Sequence, residues 1–284
     1  MSSIDHNVIL ITIDGLRRDR INLCPFLYSI AKNNCFFSNM ITATPYTIAS
    51  MHAVFSGVYP SKNGVNSYFN MFKFKKDICK TIAEYLHDQG YYTVAEVYND
   101  SIIPHQGFDK VYVYDENKDD IDKRSIELIK KVSKKRKFFL HLQPAHIHRK
   151  TVNNIAKKYD DFSKEYFDRV EENIKEYNRY IQEADNYIKT IFSSIDELNL
   201  RNNTIVIISS DHGTSNGEKF GEKMYGCYLY NYTINIFCVI CLPKSQSKEI
   251  KYIVRSVDIF PTILDLLNIK VVNSEIETIL KGSL

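Results

Sequence analysis

Thr47 heads a stretch bracketed by helix breakers, with Pro45 before it and Gly57, Pro60 and Gly64 after it. Between those stops Ile48, Met51, Val54 and Phe55 recur at i, i+3, i+6 and i+7, which predicts one short helix with an apolar face. Thr47 then lies at the helix N-terminus, where unpaired N–H groups and partial positive charge favour anions and stabilise an alkoxide. Alone, such a threonine reads as a helix cap. Partners elsewhere in the chain give it a chemical reading.

Two partners stand at the ends of apolar runs. Asn7 to Ile13 reads as a fully buried parallel strand that stops at Asp14-Gly15, and Asn203 to Ser210 reads as a second, followed by Asp211-His212-Gly213. In open α/β sheets ligands bind beyond the carboxyl ends of the strands, so both tips are expected in one crevice. Asp14, Asp211, His212 and the Thr47 hydroxyl would form one ligand set of two carboxylates, an imidazole and a hydroxyl. Such a set suits zinc or manganese better than calcium, with magnesium also open.

Together the Ile13-Asp14-Gly15-Leu16-Arg17 strand end, the Thr44-Pro45-Tyr46-Thr47 to Gly57 and Pro60 segment, and Ser209-Ser210-Asp211-His212-Gly213 resemble the sulfatase branch of the alkaline phosphatase superfamily. Three further segments fit in family order. Pro104-His105-Gln106-Gly107-Phe108-Asp109 is similar to the family's His-x-Gly-Phe-Asp turn. Phe139 to His146 stands where the family has a strand ending in Asp-Pro-His, and Arg255 to Leu267 is similar to the helix closing its catalytic domain. The resemblance spans about Asn7 to Ile269 and implies a metal-dependent α/β ester-cleaving fold: a mostly parallel central sheet with helices on both faces.

Departures from the family decide the expected chemistry. Sulfatases proper convert a cysteine within Cys-x-Pro-x-Arg, and here that frame reads Thr47-Ile48-Ala49-Ser50-Met51. A threonine there resembles the phosphodiesterase and phosphotransferase relatives, whose hydroxyl attacks phosphorus to form a phospho-enzyme. The resemblance also makes His146 a contact for a substrate oxygen or leaving group. His148 has no family match and is a candidate for the substrate or for a second ion. No histidine follows His212, so a second ion would need His52, His141, His146 or His148, and one ion is preferred. Where the family has Gly-Glu-His and then His-Gly, this chain has Lys219 and Tyr225 in place of the histidines. Lys219 or Lys223 is expected to meet a phosphate oxygen.

The 284 residues, 44% hydrophobic and 25% charged, suit one large α/β unit, read as a single catalytic domain over 1–284. Residues 151–180 within it read as a helical lid or insertion, or equally as an exposed helix. A net charge of +3 gives no argument for nucleic acid. Residues 1–6 are polar, the apolar run after them has seven residues, and no later stretch spans a membrane. With six cysteines lacking metal-type spacing, this predicts a cytoplasmic protein with reduced thiols. Further predicted elements are helices at 24–33, 81–88, 119–132 and 257–267, strands at 36–41, 91–98, 111–114, 138–142 and 232–242, and amphipathic helix between Lys157 and Leu200. The basic run Lys134 to Lys137 reads as a solvated helix end.

The chain ends soon after the Leu267 helix, without the second small sheet of longer sulfatases, which predicts a more open site or one completed in a homo-oligomer. The expected activity is cleavage or transfer of a phosphate mono- or diester on a small molecule, glycan or lipid carrier. Sulfate-ester hydrolysis and a non-catalytic binding role are the alternatives.

Overall fold

All seven residues of Asn7–Ile13 (β1) are buried, and alternate side chains enter opposite layers: Ile9, Ile11 and Ile13 one, Val8 and Leu10 the other. A strand apolar on both faces must lie inside a sheet covered by helices on both sides. The structure, a computed structural model, describes residues 6–160, 163–244 and 247–271. The 1–284 domain expectation therefore extends over residues 1–5 and 272–284, which lie outside the described residues, as do 161 and 162 of the 151–180 segment.

The sheet also contains Cys35–Ile41 (β2), Tyr92–Val97 (β3), Lys110–Val113 (β4), Phe138–Leu142 (β5), Thr204–Ser210 (β6), Asn235–Cys241 (β7), Lys248–Ile250 (β8) and Val254–Arg255 (β9). Its order is β4-β3-β5-β1-β6-β7-β2-β8, with β9 also pairing to β2. Only β7 runs antiparallel to its neighbours, β6 and β2, so β2 points the same way as β1 and β6. The mostly parallel sheet expected from the sequence is present. All nine described strands belong to it.

Helices Pro25–Asn33, Ile121–Val132 and Val170–Glu197 cover one face, and Thr47–Ser56, Ile82–Asp88 and Ile259–Leu266 the other. Each starts or stops where its sequence dictates. Thr81 accepts from Glu84 N while the Glu84 carboxylate accepts from Thr81 N, a reciprocal cap. Gly57 ends the Thr47 helix in the left-handed conformation at φ 69°. That helix is buried at all ten residues, more than its single apolar face predicts. Met51, Val54 and Phe55 enter the sheet core, while Ile48 and Ala49 pack with Tyr46 and Val65 on its other side.

The polar stretch after Lys150 is fastened to the rest of the chain. Tyr166 donates to the Ser215 carbonyl (2.8 Å), Asn173 donates to the Asn216 carbonyl (3.1 Å), and Tyr177 donates to the Gly15 carbonyl (2.8 Å). These buried hydroxyls and amide tie the long helix Val170–Glu197 to the loops at the carboxyl end of the sheet. Lys134, Lys135 and Arg136 are exposed beyond their helix, as expected. All six cysteines are free, and all but Cys227 are buried.

His141 on β5 is completely buried, edge-on to Phe55 at 5.1 Å, and His52 on the Thr47 helix is 3% exposed. Burial pushes both imidazoles down to about 4. The unfolded chain therefore binds more protons than the folded one between about pH 6.5 and 4, and stability falls as pH falls through that window. Each histidine is expected to contribute a slope of about 1.4 kcal/mol per pH unit there. Urea unfolding of wild type and His141→Leu across this range checks it, since the variant's slope should be shallower by one proton.

Candidate metal centre and active site

Register places the two acids side by side. The last pair of the β1–β6 ladder is Ile13 with Ser210, so the next residues, Asp14 and Asp211, leave the sheet as neighbours about one strand spacing (~4.8 Å) apart. Gly15 turns the chain at φ 72°, and its N–H donates to Asp211 Oδ1 at 3.1 Å. The His212 N–H donates to the same oxygen at 2.8 Å. Gly213 is needed for space, because a Cβ there would sit 1.9 Å from the Tyr232 carbonyl.

The third component comes from β2. Since β2 is parallel to β6, the chain leaves it at the same sheet edge, where Thr42 Oγ1 and Ser50 Oγ donate to the Asp211 carbonyl at 2.6 and 2.8 Å. Those bonds dock the N-terminal turn of the Thr47 helix against the acid. Thr47 Oγ1 lies 3.2 Å from Asp14 Oδ2 and 3.0 Å from His212 Nε2. His212 Nδ1 faces the Gly213 carbonyl at 2.8 Å, and a carbonyl only accepts, so Nδ1 carries a proton and Nε2 is the ring nitrogen turned to Thr47.

One oxygen of each carboxylate in the cluster is satisfied and the other is not. Asp14 Oδ2 accepts from Thr47 and Tyr98, while Asp14 Oδ1 and Asp211 Oδ2 are buried with no hydrogen-bond partner among the described residues. Burial and the neighbouring Asp14 charge push the Asp211 carboxyl up to about 6. Ligand atoms of Asp14, Asp211 and His212 lie within 4.8 Å of one another. Two orphaned carboxylate oxygens, an imidazole nitrogen and a hydroxyl fit the donor set of a divalent cation.

Aromatic side chains that the sequence reading did not select surround the cluster. Tyr98, at the tip of β3, donates to Asp14 Oδ2 at 2.7 Å, and its ring stacks on His148 at 4.8 Å. His148 lies between Glu116 and the Tyr225 hydroxyl, each at 3.1 Å, and the Tyr225 ring sits 4.3 Å from that of His212. Burial would lower the His148 pKa, but the Asp14 charge and the Glu116 carboxylate outweigh it and hold the imidazole above its ordinary value. Tyr68 stacks on Tyr46 at 4.6 Å, next to Thr47, and its phenol is pushed up by burial and by the Asp14 charge. Tyr98 was findable, because it ends a strand one place removed from Asp14 in the sheet. Tyr225 lies in a loop where the family has a histidine, and Tyr68, in the short 3₁₀ turn Tyr68–Asn70, carries no such signal.

Of the residues selected from sequence, Asp14, Thr47, Asp211 and His212 are brought together, and His148 stands beside them. His146 departs from expectation. Its Nε2 lies 2.9 Å from Asp122 and its ring packs on Tyr187, away from the four-residue cluster. The cause is helical geometry: His146 and His148 both belong to His146–Lys150, and two residues turn a helix by about 200°, so the two rings face opposite sides. Lys223 donates to the Tyr159 carbonyl at 2.8 Å, and Lys219 is exposed. His52 and His141 lie in the core.

A sulfatase family model matches residues 6–269, and the chain belongs to the sulfatase family. No curated protein matches its sequence closely enough to count as a relative. Among solved structures it is similar to the lipoteichoic acid synthase LtaP from Listeria monocytogenes, at 18% identity and TM-score 0.73, covering 96% of this chain and 74% of that one. It is also similar to the phosphonate monoester hydrolase of Agrobacterium radiobacter, at 14% identity and TM-score 0.75, covering 93% and 74%. A third is a protein solved with its substrate D-glucosamine-2-N,6-O-disulfate, at 16% identity and TM-score 0.75, covering 99% and 80%. At these identities the likeness is one of fold.

An ion bound to this cluster stabilises the folded chain by about 2.7 kcal/mol at a concentration 100-fold above its Kd, a rise of several degrees in Tm. Asp211→Asn keeps the acceptor for Gly15 and His212 but removes one of two buried like charges. It should lose the rise produced by zinc or manganese in wild type, and its metal-free form should melt no lower than metal-free wild type. Differential scanning calorimetry with and without metal checks both.

Proposed function

We propose that the chain is a metal-dependent enzyme that cleaves or transfers a phosphate ester, with Thr47 as nucleophile and a phospho-threonine intermediate. The observation that carries this reading is the Thr47 hydroxyl itself, at a helix N-terminus and within 3.2 Å of both Asp14 and His212. Asp14, Thr47, Asp211 and His212 would hold one divalent ion, zinc or manganese by the softness of the set, with calcium and magnesium as the harder alternatives. A bound ion supplies Lewis acidity that lowers the pKa of a coordinated hydroxyl and polarises a phosphoryl oxygen.

The protein's own groups supply the rest. Thr47 Oγ1 gives up its proton to solvent and forms a bond to phosphorus as the ester P–O bond breaks, and the departing alkoxide takes a proton from His148. The N–H groups of the first helical turn receive charge developing on the phosphoryl oxygens. His148, held toward its protonated form beside the cluster, is the acid available to the leaving group or a phosphate oxygen, a role the resemblance had suggested for His146. Water or an acceptor alcohol then attacks the phospho-threonine and restores the hydroxyl. With Lys223 committed to the Tyr159 carbonyl, Lys219 is the preferred lysine for a phosphate contact. Residues 151–180 would act as a fixed wall of the pocket, since Tyr166, Asn173 and Tyr177 fasten them to the site loops.

Sulfate-ester hydrolysis is the second reading, favoured by the family model and by the neighbour solved with a sulfated sugar. Against it, Thr47 and Met51 stand where the sulfatase frame has its cysteine and arginine. A panel of aryl phosphate, phosphodiester and aryl sulfate esters separates the two, with phosphate preference expected. Thr47→Ala should lower kcat by about 10⁴-fold or more with its circular dichroism unchanged. Full activity in that variant would remove Thr47 from the chemistry.

A further inference from the structure

The segment from Tyr59 to Lys80 has a buried base and an unburied tip. Val65 is buried with Tyr46, Ile48 and Ala49, Met71 and Phe74 pack against that cluster, and the Lys75 N–H donates to the Asn63 carbonyl at 2.9 Å. Beyond this anchor Phe69 is 96% exposed, Phe72 85% and Ile78 68%. Leaving two phenylalanines and an isoleucine in water forgoes about 2 kcal/mol each, and nothing in the packing of the described residues recovers it. The same segment holds five lysines and one aspartate, a net charge of +4 in a chain whose total is +3. Lys73, Lys75 and Lys76 are exposed among the apolar side chains.

We infer that this loop is a membrane-surface anchor that inserts Phe69, Phe72 and Ile78 at the headgroup–acyl boundary of an anionic bilayer while its lysines meet lipid phosphates. Lone side chains standing almost fully in solvent suit a fluid interface that moulds around them. A protein partner instead needs a packed, shape-complementary apolar patch. Interleaved aromatic and lysine side chains have the composition of an interfacial anchor. No helix among the described residues is long and apolar enough to cross a membrane.

Position gives the anchor its use. Tyr68, inside this segment, stacks on Tyr46, the residue before Thr47. Behind the exposed tip lies an open cleft of about 760 Å³ whose wall mixes Phe72, Phe74 and Ile103 with the polar Lys76, Asp100 and His105. A bilayer held by the loop would present phosphate esters of lipid headgroups near the cluster. This inference does not depend on the catalytic reading, because surface binding is read without turnover.

The test is co-sedimentation of the full chain with phosphatidylcholine vesicles and with phosphatidylcholine–phosphatidylglycerol vesicles, at low and at high salt. Binding is expected to the anionic vesicles only, and to weaken with salt. Lys73→Gln with Lys75→Gln should weaken it about 25-fold, at about fivefold per lysine. Phe69→Ser with Phe72→Ser should abolish it, and both double variants should keep wild-type turnover of a soluble aryl phosphate. Failure of wild type to sediment with anionic vesicles, or equal sedimentation of wild type and both variants, would overturn the inference. Thr47→Ala should bind like wild type, and a wild-type chain that binds anionic vesicles yet turns over no phosphate ester would refute the catalytic reading alone.

Discussion

Two carboxylates that repel each other are fixed side by side by the register of a parallel sheet. The pairing of Ile13 with Ser210 leaves Asp14 and Asp211 no alternative to adjacency, because seven consecutive residue pairs between β1 and β6 would have to slip for them to separate. At an effective dielectric constant near 20, two such charges at this spacing oppose folding by on the order of 3 kcal/mol. The buried core accepts that cost, and Asp211 shows it in a carboxyl pushed up to about 6 by burial and by Asp14. A cation relieves the repulsion. Strain of this kind, held by the scaffold around it, is the usual signature of a functional site.

The surrounding groups follow from that constraint. Gly15 and His212 spend their N–H groups on one oxygen of Asp211 and leave its other oxygen open. Thr42 and Ser50 use the Asp211 carbonyl to seat the helix that carries Thr47. The Gly213 carbonyl fixes the tautomer of His212. Each contact orients a ligand through backbone rather than through a long side chain, which keeps the cluster rigid. The aromatic layer of Tyr98, His148, Tyr225 and Tyr68 then shields the charges from water. Where the family pattern has histidines, Lys219 and Tyr225 stand here, and Tyr225 spends its hydroxyl on His148.

Much of this was legible in the sequence. Apolar runs ending in Asp14 and Asp211, with Pro45 and Gly57 framing Thr47, mark strand tips and a helix head by local rules alone, and the sheet brings those points together. The aromatic layer was legible only in part: Tyr98 ends an expected strand and Tyr225 stands at a family position, but Tyr68 reaches the cluster only through tertiary packing in a chain with 20 tyrosines. His146 and His148 show a finer limit. Two histidines two residues apart look equivalent in a string, and only the onset of the helix at His146 decides which faces Asp14. The antiparallel sense of β7 was likewise hidden, because a fully buried strand reads alike in either direction.

The proposed centre is one cation shared by four side chains. A crystal grown with manganese, with diffraction collected at the metal's absorption edge, tests this most directly. One anomalous peak at coordination distance from Asp14, Asp211, His212 and Thr47 Oγ1 is the predicted result. An ion bound elsewhere, with the Asp14 and Asp211 carboxylates still facing each other unoccupied, would contradict it.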